Sequence, residues 1–292
     1  MNPKSWATPE ILESQETVKL VLFIRVSVLV GMLTVPGKMS SAESTPSEDA
    51  DAVLQRIRAR VGHNLSNLHN YTCHEVIERL IRPPNVGNYI QHDRVEVEVA
   101  FVGGRELFAR PGESNFEEEP LSKLVPTGTV GTGNFGSHTH SIFVGNAASF
   151  SYVGISSKDG HKSYHFEFDV PQEKSQFLVK HNGAQVIVGY RGSFWADLET
   201  YDLVRLEIKA DHIPPSVGVR FISTKMQYAM MQFNDSQFLL PRRSELEASD
   251  SDGVYSLDGV TLKQCREYRG DSVVTYSPGP NSSSVDHQSP VQ

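Results

Sequence analysis

The chain has 292 residues, of which 38% are hydrophobic and 21% are charged, and only 2 are cysteine. Two cysteines cannot form a disulfide-dense miniprotein, and the glycines show no triplet period, so miniproteins and collagens are excluded. The 35 acidic residues outnumber the 27 basic ones, giving a net charge of −8. A surface that follows phosphate groups needs a basic excess, so no nucleic-acid partner is expected.

An apolar run near the N-terminus indicates a secretory signal. Residues 26–35 are uncharged, and this run is too short to cross a hydrocarbon core of about 30 Å as a helix. Lys19 and Arg25 precede the run, and the small residues Ser40-Ser41-Ala42 follow it. We therefore predict a signal peptide over residues 1–42 and a periplasmic or secreted chain that begins at Glu43. An uncleaved anchor or a buried segment is the alternative.

The two cysteines, Cys73 and Cys265, are candidates for a disulfide bond. Export would place both in an oxidising compartment, where an even number of cysteines favours pairing. The predicted bond would join the first and last predicted strands. Two free buried thiols are the alternative, because cysteine also packs as a small hydrophobic side chain.

One long helical pattern precedes all the predicted strands. Residues 45–48, Thr-Pro-Ser-Glu, combine an N-cap, a proline at the first helical position and a glutamate three residues after the cap. Apolar residues then recur at steps of three and four, at Val53, Leu54, Ile57, Val61, Leu65 and Leu68. This spacing predicts an amphipathic helix with a single apolar stripe.

The rest of the chain alternates with period two, which is typical of half-buried strands. The strand containing Val95, Val97 and Val99 is the clearest example. Four dipeptides predict tight hairpin turns: Gly103-Gly104, Asp159-Gly160, Asn182-Gly183 and Asp258-Gly259. Many strands joined by short turns predict an all-β antiparallel meander. We expect one domain over residues 43–276 and a disordered tail over residues 277–292, which is rich in Pro, Ser and Asn.

The alternation stops between Arg110 and Gly145. Loops longer than about 12–15 residues in compact domains are usually functional or disordered, and the apolar residues near the end of this one favour a packed flap. Residues 131–136, Gly-Thr-Gly-Asn-Phe-Gly, match the dinucleotide-binding pattern but lack the strand and helix that this pattern requires. We therefore predict no cofactor.

The sequence offers weak candidates for metal binding and catalysis. His138 and His140 have a spacing that suits zinc or copper, but two ligands are not a site, so we favour hydrogen-bonded loop histidines. A G-x-S-x-G nucleophile motif is absent. Cys73 and His74 are adjacent on a strand and would point to opposite faces, so they cannot act as nucleophile and base. We predict a protein without enzymatic activity.

Aromatic and branched residues that share strand faces are the stronger positive signal. Each of these side chains alone fits an ordinary core. Together, on a strongly curved sheet, they are candidates for the lining of an apolar cavity. The candidates are Tyr164, Phe166, Phe168, Val186, Val188 and Tyr190.

The segment from Asn182-Gly183 to Glu207 has a specific pattern. Val186–Trp195 is followed by an aromatic-Asp corner, an acidic turn at Ala196–Thr200, and a strand with the sequence Leu-Val-Arg-Leu-Glu. This pattern resembles the strand–turn–strand unit of the LolA/LolB-like superfamily, which sorts outer-membrane lipoproteins. The order of a signal, one amphipathic helix and a meander is similar too.

The resemblance implies a half-open β-barrel and a non-enzymatic carrier for lipid or lipoprotein acyl chains. Peripheral contact with a membrane or a membrane protein would be compatible with that activity. The chain and its flap are longer than such small carriers need, and no contact residue of the family can be placed here. An envelope interaction module without a cavity ligand is the alternative, and a hydrolase is third.

Overall fold

The computed structural model describes residues 49–267, except for 69–70, 114–115, 117–120, 126, 159–160 and 234–235. The predicted signal peptide and tail lie outside the described residues. The long helix is α1, Ala50–Ser66. The strands are β1 Tyr71–Arg82, β2 Ile90–Val102, β3 Arg105–Ala109, β4 Ser149–Lys158, β5 His161–Val170, β6 Phe177–His181, β7 Ala184–Asp197, β8 Leu203–Asp211, β9 Val219–Phe233, β10 Ser236–Asp250 and β11 Tyr255–Glu267. Short helical segments are α2 Leu121–Leu124, α3 Ser137–Thr139, a π-helical turn at His140–Val144, and 3₁₀ turns at Gln172–Lys174 and Pro215–Val217.

The strands form one open antiparallel sheet. Its order is β3-β2-β1-β11-β10-β9-β8-β7-β5-β4, and β6 pairs separately with β7. The sheet is not closed, so β3 and β4 are its two edges. The all-β class and the antiparallel meander predicted from the sequence are confirmed. The meander departs from chain order at two places, where the first and last strands pair and where β5 pairs with β7 instead of β6.

The helix α1 begins at Ala50, with Asp49 as its N-cap, and not at the predicted capping sequence of residues 45–48. The Asp49 side chain accepts a hydrogen bond from the Asp51 amide at 3.2 Å. Its apolar stripe is as predicted, because Val53, Ile57, Val61 and Leu65 are the buried residues of the helix. The stripe packs against the main core.

Of the four predicted hairpin turns, two are correct and one is wrong. The fourth, Asp159-Gly160, lies outside the described residues. Gly103-Gly104 and Asn182-Gly183 have positive φ at both central residues, as two-residue hairpin turns require. Asp258-Gly259 instead lies inside β11, because Asp258 is buried directly opposite Arg79 of β1. The turn before β11 is made by the Asp250 carboxylate, which accepts two backbone N–H groups.

A disulfide bond joins Cys73 to Cys265, as the sequence predicted. The bond crosses between β1 and β11, which are neighbours in the sheet. A register irregularity lies at this point, between Thr72 and His74. Cys73 is fully buried, so the bond forms part of the main core.

The main core lies on the concave face of the sheet. It combines the stripe of α1, buried residues of the flap and inward-facing rings of the central strands. A smaller cluster covers the outer side of the β2–β3 edge, with Phe116 at its centre. No helix in the described part of the chain is both long and apolar enough to span a membrane.

Candidate functional site

The predicted cavity residues on β5, together with Tyr190 of β7, face the concave side and lie in the main core. Tyr164, Phe166, Phe168 and Tyr190 are each no more than 7% exposed. The Phe166 ring stacks on Phe194 with centroids 5.2 Å apart. Neighbouring aromatic side chains thus give this part of the concave face an apolar surface.

The other two predicted residues lie elsewhere. Val188 is 1% exposed and packs with Val179, Val217 and Val219 in a separate cluster, and Val186 is partly buried against that cluster. This cluster lies where the β6–β7 hairpin meets the 3₁₀ turn before β9. The structure therefore brings four of the six candidates into one surface and places two beside it.

Replacing Val188 by tryptophan is expected to destabilise the protein by about 1–3 kcal/mol, because the valine cluster has no room for an indole ring. The measurement is urea unfolding followed by fluorescence. The control is Ile187→Trp, since Ile187 is 45% exposed on the opposite face of the same strand. Equal stabilities for the two variants would contradict the packing described here.

The helix α1 and the flap cover the concave face. The Arg58 guanidinium of α1 donates to the Phe143 carbonyl at 2.8 Å and to the Gly145 carbonyl at 3.4 Å. The Ser141 and Tyr190 hydroxyls are 2.8 Å apart. The end of the flap is therefore attached both to α1 and to β7 on the concave face of the sheet.

A buried arginine holds the start of the glycine-rich part of the flap. Arg79, which is 2% exposed, donates to the backbone carbonyls of Thr127 and Thr129 and forms a bidentate ion pair with Asp93. A Cβ atom at Gly128 would lie 2.5 Å from the guanidinium, so glycine is required for this close approach. The contact fixes the backbone of the flap and not its side chains.

Asp258 lies beside this arginine and has no hydrogen-bond partner for either carboxylate oxygen among the described residues. Desolvation raises its pKa to about 7, and the charge of Arg79 opposes the rise. Near neutral pH, this buried carboxyl is therefore close to its midpoint of titration.

A second buried charge holds the middle of the flap. The Glu106 carboxylate of β3 accepts hydrogen bonds from four backbone amides, at 2.6 Å from Gly133, 2.7 Å from Phe135, 2.9 Å from Gly136 and 3.3 Å from Ser137. The segment that resembles a dinucleotide-binding motif thus binds an anion, and that anion is a side chain of the same protein. Desolvation raises the pKa of Glu106 and the four amides oppose the rise.

A third acidic group lies near Glu106. Glu75 of β1 is 2% exposed, and desolvation followed by the nearby charge of Glu106 raises its pKa to about 8. The same two causes raise the pKa of the Tyr228 hydroxyl. The concave face is therefore apolar with a polar region beneath the flap.

The two candidate metal histidines separate in the structure. The His138 ring packs against Gly133 and stacks on Phe177 at 6.0 Å, and desolvation lowers its pKa to about 4. His140 instead packs against Gly104. Among residues 49–267 as described, no three potential metal-ligating side chains come close enough to hold an ion.

A small cavity lies on the concave side. The cavity between α1 and the flap has a volume of ≈ 20 Å³, and Leu65, Phe135 and Tyr228 are among its lining residues. A larger groove of ≈ 450 Å³ lies on the outer surface of β4, β5, β7 and β8. It is mixed in charge, with Glu167, Asp169, Arg191 and Lys209 among its lining residues. Its lining suits water better than an acyl chain.

The buried charges that hold the flap were not predicted from the sequence. Glu75 and Arg79 occupy positions on the same face of β1 as Cys73 and Ile77. The sequence did contain a signal for them, because these charged residues stand at positions where the alternation of β1 expects apolar side chains. The partners were not predictable, because they are backbone atoms of an irregular segment.

No protein-family model matches the sequence, and no curated protein matches it significantly. The chain is similar to solved structures. A domain from Vibrio parahaemolyticus assigned to outer membrane lipoprotein sorting has 10% identity and a TM-score of 0.42, covering 77% of this chain and 95% of that one. A LolA superfamily protein from Nitrosomonas europaea has 10% identity and a TM-score of 0.38, covering 76% and 94%. A DUF1329 family protein from Desulfovibrio piger has 12% identity and a TM-score of 0.40, covering 76% and 94%.

The likeness is one of fold. The Nitrosomonas europaea structure is named as a member of the LolA superfamily, the group that the pattern of residues 182–207 resembles. The corner itself is well formed, because the Asp197 carboxylate accepts the amides of Glu199 and Thr200, both at 2.9 Å. Asp202, at the end of the turn, pairs with Arg60 and Asn64 of α1.

Proposed function

We propose that this protein is a non-enzymatic component of the cell envelope that binds or carries a lipid or lipoprotein acyl chain on its concave face. The predicted signal peptide supports export. The aromatic surface around Phe166 and Phe194 supports an apolar ligand. A cavity of ≈ 20 Å³ cannot hold an acyl chain, so the ligand would have to replace the flap.

The observation that carries the proposal is the way in which the flap is attached. Arg58, Arg79 and Glu106 bind the backbone of the flap at three separate places. No described residue of the flap belongs to a strand of the sheet, so departure of the described part would leave the ladder intact. It would also uncover the rings that the main core now buries. A displaceable cover over an apolar sheet face is what a carrier of acyl chains requires.

We expect Glu106→Gln to bind a fluorescent fatty acid about tenfold more tightly than the parent protein. The carboxamide replaces one acceptor oxygen by a donor, which weakens the closed state, and a less populated closed state raises the apparent affinity. Fluorescence titration measures the affinity, and limited proteolysis near residues 127–145 reports whether the flap has opened. Circular dichroism verifies that the sheet is intact.

The control is Glu113→Gln. Glu113 is an exposed glutamate of the flap, and its side chain contacts Arg110 and not the glycine-rich segment. It should match the parent in both assays. Mass spectrometry of organic extracts from the purified parent tests for native cargo. The carrier function would be refuted if the flap of Glu106→Gln is cleaved readily but the variant binds no fatty acid, and the extract of the parent contains no lipid.

An interaction module of the envelope is the second candidate. It is favoured by one observation, the exposure of apolar side chains on the edge strand β4. Val153 is 52% exposed and Ile155 is 60% exposed. The exposed edge is independent of the flap and its ligand.

A further inference from the structure

The two edges of the sheet differ in how they are protected. The edge strand β3 is covered, since Phe116 packs on its outer face and Glu106 on its inner face binds the flap. The other edge strand, β4, pairs with β5 on one side and with no strand on the other among the described residues. An unprotected edge presents backbone groups that can pair with another chain.

The composition of β4 is unusual for an exposed edge. Residues 149–157, Ser-Phe-Ser-Tyr-Val-Gly-Ile-Ser-Ser, contain neither a charged residue nor a proline, and the one charged residue of the strand is Lys158 at its end. Natural proteins use charges, prolines and bulges to block edge pairing. A bulge between Tyr152 and Gly154 is the one such feature in this segment. Tyr152, Val153 and Ile155 are 42%, 52% and 60% exposed, although they belong to a well-formed strand.

The faces of β4 are clearly assigned by its pairing with β5. Tyr152 lies opposite Phe166 and Ile155 lies opposite Tyr164, so both belong to the concave face. Ser149 and Ser151 line the polar outer groove. A strand that pairs with this edge must therefore be apolar on its concave side, small and polar on its outer side, and uncharged except at its ends.

We propose that β4 is a self-association edge, where a second copy of this chain adds its own β4 antiparallel about a two-fold axis. The strand β4 itself has the composition that the edge requires. An axis perpendicular to the sheet keeps the concave faces of both copies on the same side. Tyr152 and Ile155 of each copy would then be covered by those of the other.

The like charges of the two copies do not oppose this pairing. Lys158 is at the end of β4, so antiparallel pairing places the Lys158 residues of the two copies at opposite ends of the paired strands. Glu167 and Asp169 lie on β5, one strand in from the edge. In the paired arrangement, the β5 strands of the two copies are three strand spacings apart, or about 14 Å. That distance exceeds the Debye length of about 8 Å at physiological ionic strength, so their repulsion is largely screened. An interface one strand wide is small, and we expect a dimer that forms with rising concentration.

The test is analytical ultracentrifugation of the full chain over a range of concentrations. The parent should shift from monomer to dimer. Ile155→Lys should raise the dimer dissociation constant by more than about tenfold, because each dimer would then carry two lysines at the paired edge. The matched control is Ile187→Lys, which changes an isoleucine of comparable exposure opposite Leu178, away from β4, and should dimerise like the parent.

Circular dichroism of both variants verifies that they are folded. A parent that stays monomeric at the highest concentration would overturn the proposal. A dimer that survives Ile155→Lys in a folded protein would overturn it as well. Fatty-acid binding by the flap variant is measured separately, so failure of the carrier function would leave this result unchanged.

Discussion

Replacing both Cys73 and Cys265 by alanine is expected to lower the free energy of unfolding by about 5 kcal/mol, the largest effect that we anticipate from a local change. The bond closes a loop with a sequence separation of 192 residues, and in the chain-entropy model the stabilisation grows with the logarithm of that length. Loss of the buried sulfur atom of Cys73 adds a packing cost in the main core.

Urea unfolding of the double variant, compared with the oxidised parent, measures the effect. The parent unfolded in the presence of a reductant is the control, because it has the same cross-link removed without a change in sequence. The two should agree within the packing cost. A difference of less than about 1 kcal/mol between the oxidised parent and the variant would show that the bond contributes little.

Replacing Glu75 by glutamine is expected to stabilise the protein by several kcal/mol at pH 8 and hardly at all at pH 4. The pKa of this carboxyl is about 8 in the folded protein and near its model value of 4.5 when unfolded. Between these two values the unfolded chain releases a proton that the folded protein keeps, so stability falls as pH rises, by up to about 1.4 kcal/mol per pH unit. Glutamine has no proton to release.

Two other buried groups contribute to the pH profile. Asp258, with its raised pKa, adds to the loss of stability as pH rises towards 7. His138 acts in the opposite direction, because its pKa is lowered to about 4 and stability is lost as pH falls from 6.5. Glu75→Gln should therefore reduce the slope without removing it. Urea unfolding at pH 5 and pH 8 measures the slope, with the exposed Glu199→Gln as control, and equal slopes in both variants would contradict the burial of Glu75.

Most of the fold could be predicted from the sequence, because the periodicity of apolar residues in helices and strands is a local pattern. The stripe of α1 follows from burial of one face, which the chain itself encodes. In β2 the alternation predicted a half-buried strand, but the structure buries Glu98 and Ala100 as well as Val97 and Val99, and Ala100 belongs to the smaller cluster on the outer side. The Asp258-Gly259 dipeptide misled the turn prediction, because the same residues can serve a turn or a buried position inside a strand. Only the pairing of β1 with β11 decides between them. That pairing is a long-range contact, and local patterns do not report it.

The candidate site was predicted less completely. The rings of Tyr164, Phe166 and Phe168 were identified as one face, and the structure places them on the concave side. Whether that side is open depends on the flap, whose position is set by Arg79 and Glu106 through backbone atoms. Backbone partners leave no trace in side-chain composition. The aromatic residues of the concave face could therefore be predicted from the sequence, whereas the position of the flap over them could not.

The position of β11 beside β1 has a consequence for the kinetics of folding. The two cysteines that face each other across this pair are separated by 192 residues. At a synthesis rate of about 5–20 residues per second, β1 waits roughly 10–40 seconds for its partner strand. During that interval β1 exposes an unpaired edge to which any other strand can bind. Non-local pairing of this kind also folds slowly, so the chain has a long period in which a chaperone that shields β1 would raise its yield.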